Sequence, residues 1–83
     1  MDLISPSQIR AARVLLDWTQ QELAAAAKVS LNAVARLEQK KGDPRMGTLT
    51  KIGRALEQGG IEFLAPSDGK GPGLRLKRAS KGR

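Results

Sequence analysis

The chain has 83 residues, enough for one domain with one modest core. It contains no Cys, His or Tyr, which removes disulfides, thiolate metal sites and the commonest general base, so neither a metal, a small-molecule cofactor nor an enzyme is expected. The net charge of +7 is uneven: residues 28–54 carry seven basic and two acidic side chains and residues 65–83 carry six and one, while 1–27 and 55–64 are net acidic; such basic blocks point to a polyanion partner, most often nucleic acid.

Trp18 and Phe63 are the only aromatic residues, so the core must come from Leu, Ile, Val and Ala, which favours a mainly α fold. Ser5-Pro6-Ser7-Gln8 has the form of a capping box with Pro at the first helical position. It starts a helix from about Pro6 to Leu16, with Ile4 and Ile9 as a hydrophobic staple. Ile9, Ala12 and Leu16 share its apolar face, and Leu15 is expected to widen it. Thr19-Gln20-Gln21-Glu22 is a second capping box, stapled by Trp18 and Leu23, for a helix from Gln20 to Ala27. Leu23, Ala24 and Ala27 turn inward there. Ser30 caps a third helix, Leu31 to about Gln39, with Val34 and Leu37 inward. Only Lys28, Val29 and Ser30 separate the second and third helices, which leaves room for a tight turn and nothing else.

Pro44 disfavours helical geometry at Asp43 and marks a loop. A fourth helix is expected from about Met46 to Gln58, with Leu49, Ile52 and Leu56 inward, stopped by Gly59-Gly60. Ile61–Leu64 reads as a short strand. Residues 65–73 are rich in Gly and Pro. Leu74-Arg75-Leu76-Lys77 alternates apolar and basic residues as a half-buried strand does. The expected organisation is therefore a helical region with the first strand over residues 1–64, a loop and second strand over 65–77, and a basic, disordered tail over 78–83. Asp68-Gly69-Lys70-Gly71 lacks the spacing and the following helix of a phosphate-binding P-loop. No apolar run approaches the roughly 18 residues of a membrane span. Residues 1–16 lack the order of a signal peptide, so a cytoplasmic protein without membrane partners is expected.

Two short helices across a tight turn are common. The fuller pattern is not: Ile9-Arg10-Ala11-Ala12-Arg13, then Trp18-Thr19-Gln20-Gln21-Glu22-Leu23-Ala24, Val29-Ser30, Val34, Leu37-Glu38, Asp43-Pro44, Thr48-Leu49, Lys51-Ile52 and Ala55-Leu56. Over about residues 8–57 the chain resembles the Cro/repressor-type (XRE) helix-turn-helix family, with its lambda-repressor-like fold. The resemblance implies a transcriptional regulator of double-stranded DNA whose recognition helix lies at about 30–38.

In a helix-turn-helix the N-terminal part of the second helix enters the major groove. Outward residues there are Ser30, Leu31, Asn32, Ala33, Ala35 and Arg36. Asn32 has the chemistry to bond adenine, Arg36 to bond guanine, and Leu31 or Ala33 to touch a thymine methyl. The resemblance places base contacts at Leu31, Asn32 and Arg36. A solvated helix face is the plain alternative for Asn32 and Arg36. Gln20 begins a helix, where free N–H groups and the positive dipole end suit a phosphate, and the family uses the matching Gln in that way. Thr19 is required as a cap in any case, and with Ser30 it joins the expected DNA-backbone contacts. Lys40, Lys41 and Arg45 follow the recognition helix in a loop that commonly tracks the DNA backbone in this family; a solvated loop is the alternative. The family also pairs Arg13 with Glu38, an ion pair that orients the third helix, and Arg13 lies near the phosphates.

Two departures stand out. Lys28 and Lys40 occupy positions where the family usually has Gly. The segment after Gly60 shows two strands where many relatives have a fifth helix. Ile61, Phe63, Leu74 and Leu76 are therefore the expected dimerisation residues, the strands pairing with each other or with a second subunit. A homodimeric regulator, a repressor or a controller of its own operon bound to an inverted repeat, is the leading expectation. A protein-interaction module on the same fold, such as an antitoxin or anti-activator, is the alternative.

Overall fold

The computed structural model describes residues 4–78. Four helices, Pro6–Leu15 (α1), Gln20–Ala27 (α2), Leu31–Glu38 (α3) and Met46–Gly59 (α4), precede two strands, Ile61–Leu64 (β1) and Gly73–Leu76 (β2). The basic tail expected over 78–83 falls, apart from Arg78, outside the described residues.

Caps set the helix starts. Ser5 Oγ accepts from Gln8 N at 3.1 Å while Ser5 N donates to Gln8 Oε1 at 2.9 Å. Thr19 and Glu22 make the same reciprocal pair at 3.0 and 2.8 Å. Ser30 accepts from Ala33 N at 3.0 Å without a return bond, since Ala33 has no side chain to give one. Each cap satisfies a backbone donor that the helix itself leaves open. α4 begins on Arg45 without a side-chain cap.

The core gathers Ile9, Ala12 and Leu16 with Leu23, Ala24, Ala27, Val34, Leu37, Leu49, Ile52, Leu56 and Ile61. The side chains of Ile9, Leu23, Val34, Ile52, Leu56 and Ile61 have no exposed surface, and each contributes roughly 1.5–3 kcal/mol by leaving water. Leu15 corrects the expectation. It is 43% exposed, because it lies one residue off the Ile9–Ala12–Leu16 stripe, about 100° around the helix from Leu16. Trp18 packs against the core, with its ring over Gly59: a Cβ there would sit 2.7 Å from Cη2. Leu16 and Gln39 cap α1 and α3 and are not part of them.

β1 and β2 pair antiparallel within the chain, with Ile61 opposite Leu76 and Phe63 opposite Leu74. These four apolar residues share one face of the hairpin, and that face packs on the core. The other face carries a Glu62–Arg75 ion pair at 2.8 Å. The second strand starts one residue earlier than expected. Lys77 lies just past it, its N–H donating to Gly60 O and its Nζ to Glu57 O, each at 2.7 Å. Gln8 Nε2 donates to Gly73 O at 3.2 Å and ties α1 to β2. The hairpin is thus fastened at both ends to the helices, the support that a lone two-stranded sheet lacks. Among the described residues no helix is long and apolar enough to cross a membrane.

Candidate nucleic-acid interface

The turn between α2 and α3 is built by two backbone bonds. Lys28 N donates to Ala25 O and Val29 N to Ala24 O, at 3.3 and 3.0 Å. Lys28 takes the left-handed conformation this closure requires, with φ 59°. Val29 then packs its side chain against the core. Three residues suffice to reverse the chain, and α3 follows at once.

On α3, Val34 and Leu37 face inward and are buried. Leu31, Asn32 and Arg36 are exposed, and Ala33 is half-buried. Leu31 keeps 47% of its surface in solvent. Asn32 and Arg36 stand one turn apart on the same helix face. Beside them runs a groove of about 500 Å³, bounded by Ser30, Asn32, Ala33 and Arg36 on one side and by Lys41, Arg45 and Thr48 on the other. The groove brings the expected base readers Asn32, Ala33 and Arg36 together with the expected backbone contacts Ser30, Lys41 and Arg45. Leu31 and Lys40 are exposed outside it, and Thr19 and Gln20 sit at the start of α2. The Arg36 guanidinium lies over Gly42, where a Cβ would come within 3.4 Å of Nη2 and where φ is +70°. The contact would be an ordinary one, and it is the left-handed backbone that favours glycine there.

The other end of α3 is held by a cluster around Glu38. Arg13 donates to the Glu38 carboxylate through Nε at 2.8 Å and Nη2 at 3.0 Å. Its Nη1 donates to Trp18 O at 2.8 Å. Gln20 Nε2 adds a third donor to Glu38 at 3.1 Å. The Glu38 side chain is 4% exposed and that of Arg13 14%. Burial by itself would push the Glu38 carboxyl up. The hydrogen bonds from Arg13 and Gln20, with the charges of Arg13 and Arg10, outweigh it and hold the group below its ordinary value of 4.5. One carboxylate therefore joins α1, the loop before α2, the first residue of α2 and the last residue of α3.

A family model described as helix-turn-helix matches residues 9–63, from within α1 into β1. The chain belongs to the Cro/repressor-type helix-turn-helix family. That family is one of DNA-binding regulators and not of enzymes. The helix-turn-helix proper is α2, the Lys28–Ser30 turn and α3, and the match stops at Phe63, before β2. No curated protein matches the chain. Among the described residues no group of three or more His, Asp or Glu side chains is placed to hold a metal ion.

Reading the sequence missed three participants. Arg10 lies one turn before Arg13 and adds its charge at Glu38; the i, i+3 spacing carries that signal. Gly42 turns the chain on left-handed backbone beside Arg36, and only its glycine identity hints at it. The Trp18 carbonyl has no signal in the sequence at all, since any residue supplies one. The Gln20 amide is also engaged by Glu38 and uses one of its two N–H donors there. Ile61, expected among the dimerisation residues, has no exposed surface and packs into the core from the inner face of the hairpin.

Proposed function

We propose that this protein is a sequence-specific transcriptional regulator that binds an inverted-repeat operator as a homodimer and controls its own operon as a repressor in the cytoplasm. The observation that carries the reading is the division of α3: Val34 and Leu37 lock it to the core, while Leu31, Asn32 and Arg36 project from it beside a cationic groove. The N-terminal part of α3 enters the major groove. Asn32 reads adenine, Arg36 reads guanine, and Leu31 and Ala33 lie against thymine methyl groups. Thr19, Gln20, Ser30, Lys40, Lys41 and Arg45 meet the flanking phosphates, with the Gln20 amide bridging Glu38 and the DNA backbone.

One eight-residue helix contacts too few base pairs for a unique site, so a second copy on an adjacent half-site, one helical turn away, completes it. The half-buried Phe63, Leu74 and Leu76, with the exposed Val14 and Leu15 of α1, which packs on β2, offer the apolar surface for that contact. Selection of bound duplexes from random DNA tests the whole reading. Recovery of a two-fold symmetric motif, also present beside the protein's own gene, is the expected result. Failure to enrich any motif refutes it.

A further inference from the structure

Each of the first three helices ends on the same pair of backbone bonds. They run from Asp17 N to Val14 O with Trp18 N to Arg13 O, from Lys28 N to Ala25 O with Val29 N to Ala24 O, and from Lys40 N to Leu37 O with Lys41 N to Arg36 O. The closure needs one left-handed residue, normally glycine. Here φ is 60°, 59° and 60° at Asp17, Lys28 and Lys40, and the fourth helix meets a similar need with Gly60. Aspartate tolerates this region because its short polar side chain bonds locally. A lysine gains nothing of that kind. Both lysine side chains are exposed, and among the described residues neither makes a hydrogen bond or an ion pair. Packing does not require them. A cation does suit a helix C-terminus, yet α4 ends on glycine with no basic residue in its last turn, so the fold does not demand one.

The two strained lysines stand immediately outside the two ends of α3: Lys28 precedes Ser30 by two residues and Lys40 follows Gln39. α3 spans about 12 Å, close to the roughly 12 Å width of a major groove. Resting on the DNA-binding reading above, we propose that Lys28 is a further DNA-backbone contact, and that Lys28 and Lys40 grip phosphates at opposite ends of the recognition helix. Both are held on left-handed backbone for their charge, at the expense of stability. The α2–α3 turn then belongs to the binding surface.

The test combines melting with DNA binding over a salt series, on the full chain, using both a selected site and an unrelated duplex. Lys28→Gly relieves the backbone and removes the charge; Lys28→Gln removes the charge alone. Lys28→Gly is expected to raise the melting temperature by roughly 4–8 °C. Both variants are expected to bind the two duplexes several-fold more weakly and, with one Lys28 lost from each subunit of the dimer, to lower the slope of log affinity against log salt by about 1.8. Adding Lys40→Gly doubles the loss of slope to about 3.6. Lys28→Gln is expected to melt within about 2 °C of the parent. Unchanged affinity and slope in Lys28→Gln, with a bound parent, overturns the inference. So does a lower melting temperature in Lys28→Gln with binding intact, which would make the helix dipole the reason for the lysine. A parent that binds no DNA instead refutes the DNA-binding reading itself.

Discussion

Glu38 concentrates more of the architecture than any other side chain. It accepts three hydrogen bonds from two residues while almost wholly buried. Replacing it with Ala strands the Arg13 guanidinium, which is itself 14% exposed, and is expected to cost about 1–3 kcal/mol by chemical denaturation, below the range for fully buried pairs. The acid response follows from the lowered carboxyl. A group held below its ordinary value binds a proton more readily in the unfolded chain, so its stabilisation is complete above pH 4.5 and is lost as pH falls through the folded value. The parent is therefore expected to lose its stability advantage over Glu38→Gln progressively below pH 4.5, read as converging melting temperatures. On DNA, Arg36→Ala is expected to relax discrimination at one base position by about 1–3 kcal/mol, whereas Gln20→Ala weakens all sequences alike. Affinity measurements on a panel of single-base variants of the selected site separate the two.

Among the elements, α2 and α3 depend on the capping residues Thr19 and Ser30 that precede them, and α4 on its last residue, Gly59. Thr19→Ala removes the acceptor for Glu22 N and is expected to lower stability by about 1 kcal/mol. Gly59→Ala should cost roughly 1–3 kcal/mol despite alanine's better helix propensity, because the new methyl meets the Trp18 ring. A melting temperature at or above the parent's in Gly59→Ala would show that the ring shifts freely. This is also the scale on which the sequence is most and least legible. Capping residues and the Ile9–Ala12–Leu16 and Val34–Leu37 spacings announce the first three helices in their places, and Leu49–Ile52–Leu56 with Gly59-Gly60 announces the fourth, since these signals are local. The Arg13–Glu38 pairing came through the family resemblance, since 25 residues separate the partners. The engagement of Gln20 with Glu38 was not readable, because it depends on how three helices meet. The hairpin was legible as two strands. Its inward face was not legible as core, since alternation tells which residues share a face but not what covers it.

For the molecule as a whole, the hairpin closes the helical unit. Its inner face covers the core, Gln8 holds β2, and Lys77 holds the chain leaving it. Deleting residues 73–83 is therefore expected to lower stability by several kcal/mol, since Ile61 and Phe63 lose their cover and the helices lose two fastenings. Hydrogen exchange of the α1 and α4 amides should speed up in the truncated chain. Sedimentation of the full chain with and without its selected duplex is expected to give a dimer on DNA. A monomer at every concentration in both conditions would remove the second half-site from the reading.

The division of labour along α3 has a consequence for how such a protein changes its target. Val34 and Leu37 belong to the core, and Leu31, Asn32 and Arg36 lie outside it. The three outward positions can be rewritten together without reopening the core, because exposed helix substitutions typically shift stability by no more than about 0.5 kcal/mol. The address is thus interchangeable on a constant chassis, and a duplicated copy of this gene could acquire a new operator while its folding stays as it was.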